Sequence, residues 1–270
     1  MKLANKVIAE LGITEPGEID LEAIAWHLGA KVKYCSLDGC EACIVGASDR
    51  AIIRVSDKVS ERRQRFSIGH ELGHWCHHRN RGLFCKSDDI GKVQGDGQSI
   101  PKKPEEQAAD AYASDLLMPT ELFKNVARQY KTLDLKLIKE LGEIFKTSLS
   151  ATALRLIHID HTPAILVAHG PSGRKWFRRS KSVPEHWFPQ KELDRDSFAF
   201  DVQFGQAKET ATLRKIGADA WFDRRGADQY EIHEQTIKGF GGTSLTLLVL
   251  RDDKMLQEES DRGSWSSGRY

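Results

Sequence analysis

The chain has 270 residues, and 40 lysines and arginines against 39 aspartates and glutamates leave a net charge of +1; at roughly 150 residues per domain, that length suits one large domain or two small ones. Hydrophobic residues at 40% together with 22 glycines make an ordinary globular composition, which excludes wholesale disorder. Balanced charge excludes a global field steering the chain to nucleic acid or an anionic membrane, and runs such as LTLLVL and AILVA fall far short of the roughly 18 apolar residues of a spanning helix, so no membrane partner is expected.

In chain order, MKLANKVIAELGI lacks a continuous hydrophobic stretch before a small-residue cleavage site and reads as an uncleaved first helix over 3–11. Helical patterns follow at 21–28, 60–78 and 104–118, with three shorter ones across 120–158; strands are predicted around 31–35, 42–46 and 51–55. After Pro163 turn signals come closer together. Apolar or aromatic runs at 164–168, 176–177, 198–204, 220–222 and 245–250 read as a β-rich half. The polar, Ser- and Gly-rich end is expected to be a disordered tail. The expected organisation is thus α+β: a mainly helical domain with a small sheet over 1–160, a β-rich domain over 161–252, and a tail over 253–270. Five cysteines, an odd number in a chain too long to need staples, indicate reduced thiols and a cytoplasmic location. Cys40 and Cys43 form C-x-x-C with no second pair at matching spacing, so a zinc ribbon is not expected.

The segment RFSIGHELGHWCHH contains H-E-x-x-H at His70, Glu71 and His74. Residues four apart on a helix differ by about 40° in azimuth, so both imidazoles leave one face and can share a metal, while Glu71 stands beside it without being a ligand. Gly69 and Gly73 flank the histidines. A mid-helix glycine costs about 1 kcal/mol against alanine, so two in one turn imply that something approaches the backbone closely. A catalytic zinc takes three protein ligands and keeps a position for water. Glu106 fits the third: in PEEQAADAYASDLLMP it lies one turn before the stripe Ala109, Tyr112, Ala113, Leu116 and Leu117, on the same face, where the helix dipole favours a carboxylate. Asp110 extends that acidic edge. Glu105 is the alternative ligand, turned about 100° off the stripe.

RFSIGHELGH followed by ExxxDxYAxxLLMP resembles the ImmA/IrrE family of metallo-endopeptidases, whose active site is similar to that of thermolysin-like zincins; the resemblance spans about residues 1–160. It implies a zincin-like metallopeptidase domain in which His70, His74 and Glu106 hold Zn2+ (or another divalent ion such as Mn2+), Glu71 is the general base and Asp110 orients His70. Family members commonly have Asn at the position of Asp110 and Phe at that of Tyr112. The implied activity is endopeptidase cleavage of a protein substrate, a helix-turn-helix repressor or antitoxin, under stress or on induction of a mobile element. The alternative is a metal-containing regulatory or toxin-antitoxin module that binds a partner without proteolysis.

Further residues have readings of their own. His78 can face the metal from the next turn, though structural hydrogen bonding is the expected role; Cys85 is a candidate inhibitory thiolate against an ordinary loop thiol. Tyr112, His77, His78 and Arg155 are each conceivable oxyanion stabilisers. The basic, aromatic segment 173–182 reads as a strand with a solvated cationic face, and the helix-turn-helix-like segment within 120–158 as packing, so nucleic acid is not expected as the main partner.

Overall fold

A computed structural model describes residues 3–78, 103–207 and 209–257. The fold is α+β, and the chain divides into two compact units, Met1–His161 and Thr162–Tyr270.

In the first unit, helices α1 (Leu3–Glu10) and α2 (Leu21–His27) precede strands β1 (Ala30–Cys35), β2 (Ala42–Ala47) and β3 (Arg50–Ser56). The Asp20 carboxylate starts α2 by accepting from the Glu22 and Ala23 amides, which would otherwise lack partners in the first turn. The sheet order is β1-β3-β2, with β1 parallel and β2 antiparallel to β3. Along β3 the pleat sends Ala51, Ile53 and Val55 into the core and leaves Ile52 and Arg54 exposed. Helix α3 (Glu61–His78) packs on β2 and β3. Its Trp75 ring occupies the space where a side chain at Gly46 would stand, and its indole N–H donates to the Leu28 carbonyl at 2.8 Å.

Helix α4 (Pro104–Leu117) lies along α3 and has proline in its first turn, where the missing N–H is not needed. Helices α5 (Thr120–Ala127), α6 (Leu135–Ile144) and α7 (Leu149–His158) follow. The Asp134 and Ser148 side chains cap α6 and α7, accepting from Leu137 N at 2.8 Å and Ala151 N at 3.2 Å. Helix α7 buries Thr152, Ala153, Arg155, Leu156 and Ile157 and exposes little beyond Ser150 and His158. A DNA-recognition helix would instead hold a polar face open toward the groove.

The second unit holds β4 (Ala164–Gly170), β5 (Gly173–Arg179), α8 (Phe198–Phe204), β6 (Arg214–Gly217), β7 (Glu231–Lys238), β8 (Ser244–Val249) and α9 (Asp253–Gln257). Its five strands pair antiparallel in the order β5-β4-β8-β7-β6. The central strands β4 and β8 are buried at every residue, which is why both are dominated by apolar side chains on both faces. Ile165, Val167, Ile232 and Leu248 meet Trp187, Trp221 and Phe222 in the core.

Three expectations for this half are corrected. The run 198–204 is helix α8 rather than a strand, because the Ser197 hydroxyl caps it and the buried Glu234 carboxylate accepts from the Ala199 amide at 2.6 Å. The run at 220–222 leaves a 3-10 turn, Ala218–Ala220, while the strands lie in the more polar stretches RKIG and EIHEQTIK. The tail does not begin at 253: α9 stands there, with Met255 fully buried and its carbonyl accepting from the Trp187 indole at 2.9 Å. Residues 258–270, the rest of that expected tail, lie outside the described residues.

Candidate metal centre

The closeness of α3 and α4 builds this site. A Cβ on Gly73 would stand 2.8 Å from Ala109 Cα and 3.0 Å from its carbonyl oxygen; one on Gly69 would stand 3.2 Å from Ala113 Cα. The two glycines on α3 thus face the two alanines on α4, in step at four-residue spacing, and the backbones approach to a distance that larger residues forbid. This explains why the helix tolerates glycine twice in one turn.

With the axes so close, Glu106, in the first turn of α4, reaches the histidines of α3. His70 Nε2 and His74 Nε2 are 3.0 Å apart, Glu106 Oε2 is 3.2 Å from His70 Nε2, and Glu106 Oε1 is 3.4 Å from His74 Nε2. On the far side of the ring, His70 Nδ1 lies 2.9 Å from Asp110 Oδ1. An ionised carboxylate can only accept, so Nδ1 carries the proton and the Nε2 lone pair turns toward His74 and Glu106. His70 and His74 are fully buried, while the side chains of Glu106 and Asp110 keep 14% and 21% exposure, so solvent reaches the acidic edge.

The donor set fits a divalent ion. Zinc sits about 2.0–2.1 Å from nitrogen and oxygen ligands, and tetrahedral angles then separate the ligand atoms by about 3.3 Å; here the two imidazole nitrogens are 3.0 Å apart, Glu106 sets one oxygen 3.2 Å from the first and its other oxygen 3.4 Å from the second, and one donor atom from each of the three residues lies within 4.8 Å of the rest. Two imidazoles and a carboxylate, with a carboxylate behind one imidazole, are also the donor types zinc takes in hydrolytic sites. Among the described residues, His70, His74 and Glu106 form the cluster whose ligand atoms lie within 4.8 Å of one another; Glu105 contributes no donor to it.

Glu71 is fully buried on α3 between the two histidines in sequence. Tyr112 is buried with its hydroxyl accepting from Cys76 Sγ at 3.5 Å, and burial, reinforced by Cys76, pushes the phenol well above its usual range, so it stays protonated. The His77 ring stands edge-on to Tyr112. Arg155 is not available to an oxyanion: it donates to Asp115 Oδ1 at 2.9 Å, to the Met118 carbonyl at 2.6 Å and to the Thr120 hydroxyl at 3.0 Å, and so ties α7 to the end of α4. Sequence reasoning missed Asp115. A charged residue among the apolar positions near the end of α4 was the signal, since a buried carboxylate needs a cation. Cys85 and the side chain of His78 lie outside the described residues. In the basic segment, Arg174 stacks on Phe188 and Phe177 and donates to the Pro189 carbonyl, Arg178 bonds the Phe177 carbonyl, and Arg179 pairs with Glu185 at 2.8 Å. These cations are engaged within their own unit. No disulfide links the described cysteines, Cys35, Cys40, Cys43 and Cys76.

Comparison with known proteins gives three findings. Residues 26–157 match the peptidase family model described as the IrrE N-terminal-like domain. No curated protein matches the sequence at a significant level. Among solved structures, one described as a Mycobacterium tuberculosis transcriptional regulator aligns over 91% of this chain and 74% of that one, with a TM-score of 0.57 and 14% identity, a likeness of fold.

Proposed function

Residues 26–157 belong to the IrrE N-terminal-like peptidase family, and from that membership and the geometry of α3 and α4 we propose that the protein is a zinc-dependent endopeptidase with a zincin-like site that cleaves a protein substrate in the cytoplasm. The observation that carries this reading is the convergence of His70, His74 and Glu106, with Asp110 behind His70. A bound divalent ion supplies Lewis-acid polarisation of the scissile carbonyl and makes a water acidic near neutral pH. The chain's own residues do the rest. Glu71 accepts the proton of the attacking water and returns it to the departing amine. Asp110 holds the His70 ring in the tautomer whose lone pair faces the centre, and Glu106 sets one oxygen toward each imidazole.

The substrate we propose is a helix-turn-helix repressor or antitoxin, in keeping with a structural neighbour described as a transcriptional regulator. The C-terminal unit would select that substrate or sense the signal that releases cleavage. The test compares wild type with Glu71→Gln. Metal content should survive the substitution, since Glu71 is not a ligand, and cleavage of a co-expressed repressor should vanish. Equal phenotypes in both strains would favour the reading in which the metal-containing module acts by binding a partner.

A further inference from the structure

One face of the three-stranded sheet packs on α3; among the described residues the other is open, and it has a pattern of its own. The registers align Lys31, Ile52 and Val45 in one row across β1, β3 and β2, and Lys33, Arg54 and Cys43 in the next. Arg50 shares this face, two residues before Ile52. Val45 and Ile52 are 58% and 41% exposed, and Trp26, at the end of α2, is 73% exposed. Together with Lys31, Asp49 and Arg50 these three line a hollow of about 810 Å³. The core does not require β-branched residues here, because α3 already covers the opposite face, and such a patch beside an open tryptophan is a liability in water.

The charges say what fits. Lys31, Lys33, Arg50 and Arg54 are all exposed on this face, and Asp49 is the acidic residue lining the hollow. The chain as a whole is balanced at +1, so the cationic excess is local. Exposed tryptophan and arginine around an apolar hollow are the residue types that anchor interfaces. A purely electrostatic partner would make no use of Val45 and Ile52, and a purely apolar one would make no use of the four cations.

We propose that this face docks an acidic polypeptide segment of a partner protein, with Leu-, Ile- or Phe-type side chains seated against Trp26, Val45 and Ile52 and carboxylates paired with Lys31, Arg50 and Arg54. The docking does not depend on hydrolysis at the metal centre. It is tested with the full chain by fluorescence anisotropy, using a short fluorescein-labelled peptide of Leu and Phe alternating with Asp and Glu, its Lys/Arg counterpart, and a labelled DNA duplex. The acidic peptide should bind saturably and the basic one should not. Lys31→Glu with Arg50→Glu should weaken binding at least about tenfold, Trp26→Ala should weaken it several-fold, and raising ionic strength from about 0.01 to 0.15 M should weaken it further. All three positions are exposed, and thermal melting verifies that the variants fold. Absence of binding, binding indifferent to these variants, duplex binding lost in the same variants, or self-association abolished by them would each overturn the assignment. Glu71→Gln should leave peptide binding intact, which separates failure here from failure of the peptidase reading.

Discussion

Gly73→Ala tests whether the close approach of two backbones holds the centre together. Alanine in a helix interior is favoured over glycine by about 1 kcal/mol, and this gain applies equally at Gly69 and Gly73. The surroundings differ. A Cβ at Gly73 would meet Ala109 Cα at 2.8 Å, Ala109 O at 3.0 Å and Tyr112 Cβ at 3.1 Å, two of them backbone atoms that cannot swing aside. Ordinary carbon contacts lie at about 3.5–4.0 Å, so α4 must withdraw by about 0.7 Å, and overpacking of this kind costs about 1–3 kcal/mol. At Gly69 the nearest atoms, Ala113 Cα and Cβ, stand at 3.2 Å, and a few tenths of an ångström suffice. Gly73→Ala should therefore be about 1–2 kcal/mol less stable than Gly69→Ala in urea denaturation of the metal-free proteins. Glu106 lies one turn before Ala109, and metal sites tolerate about ±0.2 Å in ligand distance, so zinc affinity measured against a competing chelator should fall at least about tenfold in Gly73→Ala. Equal stability and equal affinity in the two variants would refute the argument.

Other outcomes follow from the same geometry. Asp110→Ala removes the group that fixes the His70 tautomer and should lower zinc affinity about 10–100-fold in the same chelator assay; unchanged affinity would dismiss its positioning role. Asp115→Ala strands the buried Arg155 cation, for which such losses amount to about 3–5 kcal/mol; denaturation that shifts by less than about 1 kcal/mol would show the pair to be dispensable. In the second unit, burial and then the charge of Arg174 hold His169 down to about 4 from 6.5. Between these values the unfolded chain binds a proton that the folded one does not, so this residue makes stability fall as pH drops from 6.5 toward 4, by about 3 kcal/mol. His169→Gln should flatten that part of the pH profile of the urea midpoint, and an unaltered acid limb would count against it.

Local pattern carried much of this molecule's secondary structure. The 2.0-residue alternation of 51–55 marks one buried face of a strand, and the four-residue step from His70 to His74 puts two imidazoles on one helix face, because both periods are properties of the backbone alone. Proline within PEEQAADAYASDLLMP bounded its helix for an equally local reason, through a missing N–H and a fixed φ. The second unit was less legible. FAFDVQF alternates like a strand, yet it is a helix because Glu234, thirty-odd residues away, accepts from its first amides from a fully buried position.

What the sequence by itself determined, then, is which side chains share a face within one element, since a few consecutive dihedrals set that. Only the tertiary structure decided how far apart elements lie. The paired glycines announced a close neighbour without naming it; that Ala109 and Ala113 are the neighbours, and that Glu106 therefore stands 3.2 Å from His70, depends on α4 returning across more than twenty intervening residues to pack on α3. The Asp115–Arg155 pair is of the same kind, forty residues apart in the chain and 2.9 Å apart in space. Such distances are set by the burial of whole faces against one another, and no window of sequence contains both partners.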